Sequence, residues 1–174
     1  MTRAALYAGW LTLLIAACWT PVPINRTLDD DPIRAHFYHA RDTFAAMCGC
    51  VQDVVAIVDP DESTASVSGA LVRYNPEWFR AQMLRFGTDA AFVVFAHELA
   101  HVEAARSNGH RVQTFSDVKA QELACDRRAG CAAAMANLSK SAGAESLAWF
   151  LEDLRHHGGE VRAQAFRAGY EGCE

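Results

Sequence analysis

A basic cluster is missing from this chain. Its 174 residues carry 16 Lys and Arg against 21 Asp and Glu, a formal charge of −5, and the basic residues are scattered along the length. No stretch could neutralise a run of phosphates, which argues against nucleic acid as a partner. Internal repeats and low-complexity tracts are also absent, and the length suits one domain with a real core. Nor is there an unbroken apolar run of the roughly 20 residues that a membrane-spanning helix needs. The one candidate, Ala4–Ala17, is followed by Pro21 and Pro23. Finally, the six cysteines become an odd number once Cys18 is set aside, so they cannot all pair within the chain.

What the first residues do hold is a signal-peptide profile: Arg3 near the amino terminus, then an apolar run whose only polar side chains are marginal. The run ends Ile15-Ala16-Ala17-Cys18, which resembles the lipobox of bacterial lipoproteins, whose cysteine is acylated and becomes the first residue of the mature protein. The competing reading is an ordinary cleavage site with an incidental cysteine. Either way residues 1–18 direct export, and the mature chain is expected in the periplasm or cell envelope, with a lipid anchor on Cys18 under the first reading. Residues 19–32, polar and containing Asp29-Asp30-Asp31, read as a tether.

The folded domain is then 33–174. Ile33, Phe37, Phe44 and Met47 recur at helical spacing, and Cys48-Gly49-Cys50 ends that helix. Val54–Val58 and Ala65–Tyr74 read as two strands forming a hairpin. Asn75-Pro76 opens a helix that Gly87 closes. Ala90–Ala105 lacks both Pro and Gly and is almost wholly apolar through Ala96, which makes it the core helix. Further helices are expected over about 116–137 and 144–157, the last stopped by Gly158-Gly159. The sum is an α+β fold, mainly helical, with a small sheet flanking the core helix. Cys125 and Cys131 lie about 9 Å apart along one helix and on different faces, so they should not bond to each other. Pairing of the Cys48-Gly49-Cys50 turn with that helix or with Cys173 is preferred, and one thiol is left over.

The core helix carries His97-Glu98-Leu99-Ala100-His101. At 100° per residue, histidines four apart sit on one face one turn apart, so both imidazoles can reach one metal. Zinc takes imidazole nitrogen readily, and a catalytic zinc site keeps one position for water, beside which Glu98 would stand. A random shuffle of this composition would contain the pattern roughly 1 to 2 times in a hundred, so its position on a buried helix matters. The next helix repeats the geometry with Glu122 and Asp126, again one turn apart. Glu122 can complete the metal site, and Asp126 can accept a hydrogen bond from a ligating imidazole.

His97-Glu-Leu-Ala-His101 followed by Glu122-Leu-Ala-Cys-Asp126-Arg-Arg-Ala-Gly130 resembles the gluzincin metallopeptidases, and within them the short M48-like and neutral zinc metallopeptidase groups. The resemblance covers residues 90 to 135. It implies a zincin-like domain with Zn2+ bound by His97, His101 and Glu122, Glu98 as catalytic base, Asp126 behind the ligands, and a protein or peptide substrate. It also implies that the Ala65–Tyr74 strand binds extended substrate along a sheet edge.

Other residues were weighed against this set. Metzincins complete the site with a third histidine after a Gly at a fixed offset; Ala104 and Ser107 stand at those offsets, and His110 reads as a loop residue. Cys125 reads as a structural or disulfide cysteine and not as a thiolate ligand. His36 with His39, and His156 with His157, read as polar helix surface, and Trp78, Phe79 and Phe86 as core. His110, Arg155, His156 and Tyr170 are open candidates for an oxyanion donor. Two rival functions stay open: a catalytically idle metal-binding or assembly lipoprotein, against which the intact Glu98 argues, and a zinc amidase cutting cell-wall peptides.

Overall fold

The computed structural model describes residues 31–108, 115–149 and 158–173. The apolar run, Cys18 and the tether up to residue 30 lie outside them, as do His110, Arg155, His156 and His157. No helix among the described residues is long and apolar enough to cross a membrane.

Asp31 and Pro32, read as the end of the tether, belong to the first helix. The Asp31 carboxylate accepts from Ile33 N–H at 3.0 Å, and Pro32 takes a first-turn position where an N–H would be unpaired anyway. This helix, α1, spans Pro32–Cys48 and buries Ile33, Phe37, Ala40 and Phe44 along one stripe. Gly49 closes it in the left-handed region at φ 65°, its N–H donating to Ala45 carbonyl at 2.8 Å.

The sheet departs from the expected pair of strands. Three short strands form it: β1 (Val55–Val58), β2 (Ala65–Ser68) and β3 (Leu71–Tyr74), in the order β1-β3-β2. The segment 65–74 is itself the hairpin, turning at Gly69-Ala70, and Gly69 has the positive φ (62°) that a two-residue hairpin turn needs at its first position. β1 pairs in parallel with β3, not antiparallel with a single long strand. Val72 and Tyr74 point inward, and the Tyr74 hydroxyl donates to Asp31 at 3.2 Å, tying β3 to the start of α1.

Helix α2 (Pro76–Phe86) begins as expected, with the Asn75 side chain accepting from Glu77 and Trp78 N–H at 2.9 and 3.2 Å. Phe79 is fully buried, while Trp78 only partly joins the core. Next comes α3 (Asp89–Asn108), in which every residue from Ala91 to Ala100 is buried. Such a helix, apolar all round, is held from every side. Phe95 stacks on Phe79 at 4.5 Å and meets Phe37 and Tyr74 edge-on, both at 5.4 Å, so α1, α2 and β3 grip the helix through one aromatic cluster.

Helix α4 (Phe115–Met135) packs on α3, and α5 (Lys140–Trp149) follows. The chain then forms a helix where Gly158-Gly159 was read only as a stop: α6 (Gly159–Glu171), which lies closely against α4. Their backbones nearly touch, since a Cβ on Gly130 would overlap the Phe166 carbonyl and one on Gly169 the Arg127 carbonyl. Cys131–Cys173 links the same two helices, and Cys48–Cys50 close on each other. The expected link from the Cys48-Gly49-Cys50 turn to another element is therefore wrong. Only Cys173 reaches the helix, and Cys125 is the leftover thiol among the described cysteines.

Candidate metal centre

His97 and His101 project from α3 on the face away from Phe95, toward α4. Helix α3 runs on through Ala104 to Asn108, and His110 lies outside the described residues. From α4, Glu122 reaches both imidazoles. His97 Nε2 lies 3.1 Å from His101 Nε2 and 3.2 Å from Glu122 Oε2, and His101 Nε2 lies 3.3 Å from Glu122 Oε1. Each of these three residues offers a ligand atom, and these atoms all lie within 4.8 Å of one another. Bonds of 2.0–2.2 Å at tetrahedral angles put donors about 3.3–3.6 Å apart, so the contacts of 3.1–3.3 Å lie at the short end of the spacing for a zinc-sized cation.

Asp126, one turn after Glu122, stands 2.9 Å from His97 Nδ1 and is fully buried. Helical spacing brings it to the face of α4 that Glu122 also occupies. Burial disfavours the protonated form of His97, but the hydrogen bonds it donates to Asp126 and Glu122 outweigh it and raise the pKa to about 9. Burial likewise disfavours the Glu122 carboxylate, and contacts with His101 and His97 reverse this and hold it below the usual carboxylate range. In the metal-free protein His97, set between two carboxylates and with Arg162 Nη2 3.4 Å from its Nδ1, thus holds a proton more tightly than an ordinary imidazole. Glu98, next along α3, is buried at 6% exposure, and its charge acts on both Cys125 and Arg162.

One residue of the site escapes the sequence reading, and another is there read only as a structural or disulfide cysteine. Arg162, on the unforeseen α6, is wholly buried and grips Asp126 with two prongs, Nε to Oδ2 at 2.9 Å and Nη2 to Oδ1 at 2.7 Å. A signal for it existed: Gly159, Ala163 and Phe166 trace an apolar helical stripe, and Arg162 falls on it, as a buried charge awaiting a partner. The other is Cys125, whose Sγ lies 3.4 Å from His101 Nδ1. Adjacent residues of α4 therefore serve the two imidazoles, a carboxylate behind His97 and a thiol behind His101. Burial, then the charges of Glu122, Asp126 and Glu98, push the Cys125 thiol up, so it stays protonated.

No protein-family model matches this chain, nor does any curated protein or solved structure. The site is therefore read from its own chemistry.

Of the remaining candidates, Tyr170 is not at the centre, because its hydroxyl donates to Leu138 carbonyl at 2.8 Å. His39 is exposed, its ring edge against Phe92, and His36 is half-buried, with its pKa lowered by that burial. Within 65–74 only β2 is a sheet edge, since β3 is paired on both sides. Of this segment an added substrate strand could use β2, while β1 is the other edge of the described sheet.

Proposed function

We propose that this chain is a zinc-dependent metallopeptidase of the gluzincin kind, exported to the cell envelope. The observation that carries the reading is the meeting of His97 Nε2, His101 Nε2 and the two Glu122 carboxylate oxygens at 3.1 to 3.3 Å, with Glu98, the residue after His97, also buried. When bound there, zinc would supply a Lewis acid that acidifies a water and polarises a peptide carbonyl.

The protein's own residues do the rest. Glu98 takes the proton of the attacking water and returns it to the departing amine. Asp126 accepts the Nδ1 proton of His97, which leaves Nε2 free as a ligand and raises its basicity, and Arg162 fixes the Asp126 carboxylate in both position and charge. β2 offers a backbone edge along which an extended peptide can lie. Ala4–Ala17 and the Ala-Ala-Cys18 ending support export, with Cys18 as the acylated residue.

The test is zinc content and peptide cleavage for the wild type and Glu98→Gln. One zinc per chain is expected in both, with cleavage falling by about 10²–10⁴-fold in the variant. A chain that takes up no zinc, or cleavage undiminished by the substitution, overturns the reading.

A further inference from the structure

A second cluster of metal-binding side chains lies apart from the His97 centre. The Cys48 and Cys50 sulfurs and a Glu103 carboxylate oxygen, from the end of α1 and from α3, all lie within 4.8 Å of one another, and all three residues are partly exposed. The two sulfurs are joined as a disulfide. We propose that this turn is a redox-gated site for a thiophilic divalent cation, closed by the Cys48–Cys50 bond and opened by its reduction.

The disulfide contributes little to holding the fold. Stabilisation by a cross-link grows with the loop it closes, and this ring encloses a single residue, whereas Cys131–Cys173 spans a sequence separation of 42. Other bonds hold the turn. Gly49 N–H donates to Ala45 carbonyl at 2.8 Å, and Val54 N–H to Val51 carbonyl at 3.1 Å. Arg106 of α3 donates to the Cys50 carbonyl and takes both oxygens of Asp53 at 2.8 Å. None of these bonds involves sulfur, so the turn keeps its shape when the disulfide opens.

The Glu103 carboxylate is held in place, because Arg128 of α4 donates to its two oxygens at 2.7 Å each. Opening the bond takes two electrons and two protons from a dithiol, which leaves as a disulfide. The two thiols then lose their protons to solvent as the cation binds. Two thiolates and Glu103, with Arg128 beside them, carry a net charge of −2, which a divalent cation neutralises. Thiolate with carboxylate is a donor set for Zn2+ or its softer analogue Cd2+.

Cadmium binding to the full chain, before and after reduction by a dithiol later removed, tests this independently of the peptidase proposal. Reduced protein should bind one more Cd2+ than oxidised protein, with a new thiolate-to-cadmium charge-transfer absorption and unchanged far-ultraviolet circular dichroism. The Cys48→Ser/Cys50→Ser double variant should lose that extra ion, and Glu103→Gln should weaken it by about tenfold or more. Equal stoichiometry in the two redox states overturns the proposal. So does an extra ion that survives in the double variant, which would assign it to Cys131 and Cys173, or loss of the helical signal on reduction.

Discussion

Arg162 and Asp126 meet as a two-pronged ion pair with both side chains fully buried, and Asp126 in turn holds His97 Nδ1 at 2.9 Å. A carboxylate shared between a guanidinium and an imidazole stays ionised despite burial, and its pKa is lowered accordingly, burial opposing and Arg162 then His97 prevailing. Removing one partner of such a pair strands the other charge. Arg162→Met should cost about 3–5 kcal/mol of stability, measured by denaturant unfolding of the metal-free chain. Adding Asp126→Asn to it should restore part of the loss. A single variant within 1 kcal/mol of wild type would mean that the pair is not buried as described.

The closeness of α4 and α6 is what sets Arg162 under Asp126. Gly130 and Gly169 have no room for a Cβ, whereas a Cβ on Gly158 would meet none of the described residues within 4 Å. Gly130→Ala and Gly169→Ala should each push the helices apart and cost about 1–3 kcal/mol, even though Ala is the better helix former. Gly158→Ala should shift stability by less than about 1 kcal/mol. Thermal melts of the three variants decide it, and equal melting temperatures would refute the tight crossing.

Much of this site was legible because its key spacings are local. Two i, i+4 pairs on two helices, His97 with His101 and Glu122 with Asp126, need only the helical repeat to put each pair on one face. The α+β class followed from the same periodicities, as did the Asp89–Asn108 and Phe115–Met135 helices to within a few residues. The misses needed tertiary information or finer punctuation. Gly158-Gly159 reads as a terminator, yet Gly159 begins α6 because it packs against the Ala148 backbone, where a side chain would not fit. The hairpin at Gly69 was hidden inside a run that alternates like one strand. The parallel pairing of β1 with β3 and the closure of Cys48 on Cys50 depend on where the chain returns in space, which residue types do not encode.

Cys125 offers a sharper test of how His101 is held. Its thiol is 2% exposed and pushed up, so the folded, unreduced chain should resist iodoacetamide at this position and react there on denaturation, as mass spectrometry of peptides would show. Cys125→Ala removes the thiol that lies 3.4 Å from His101 Nδ1 and should weaken zinc affinity by about 10–100-fold, with Cys125→Ser restoring part of it. Unaltered affinity in Cys125→Ala would remove Cys125 from the support of the ligand.

His97 should make the metal-free fold and metal uptake respond to pH in opposite directions. Its pKa rises from 6.5 to about 9 in the folded chain, so the native state holds this proton more tightly than the unfolded state does. That stabilisation is fully present below pH 6.5 and is lost as the pH rises through 9. His36, lowered by burial, titrates below this window and does not mask it. The metal-free melting temperature should therefore fall between pH 6.5 and 9. Zinc must displace the same proton, so its apparent affinity should rise across that window by up to about tenfold per pH unit on account of His97 alone. Calorimetric titration in buffers of different ionisation enthalpy would count the proton released at pH 7. A melting temperature that climbs through the window, or zinc binding that releases no proton, would show that His97 does not hold this proton between Asp126 and Glu122.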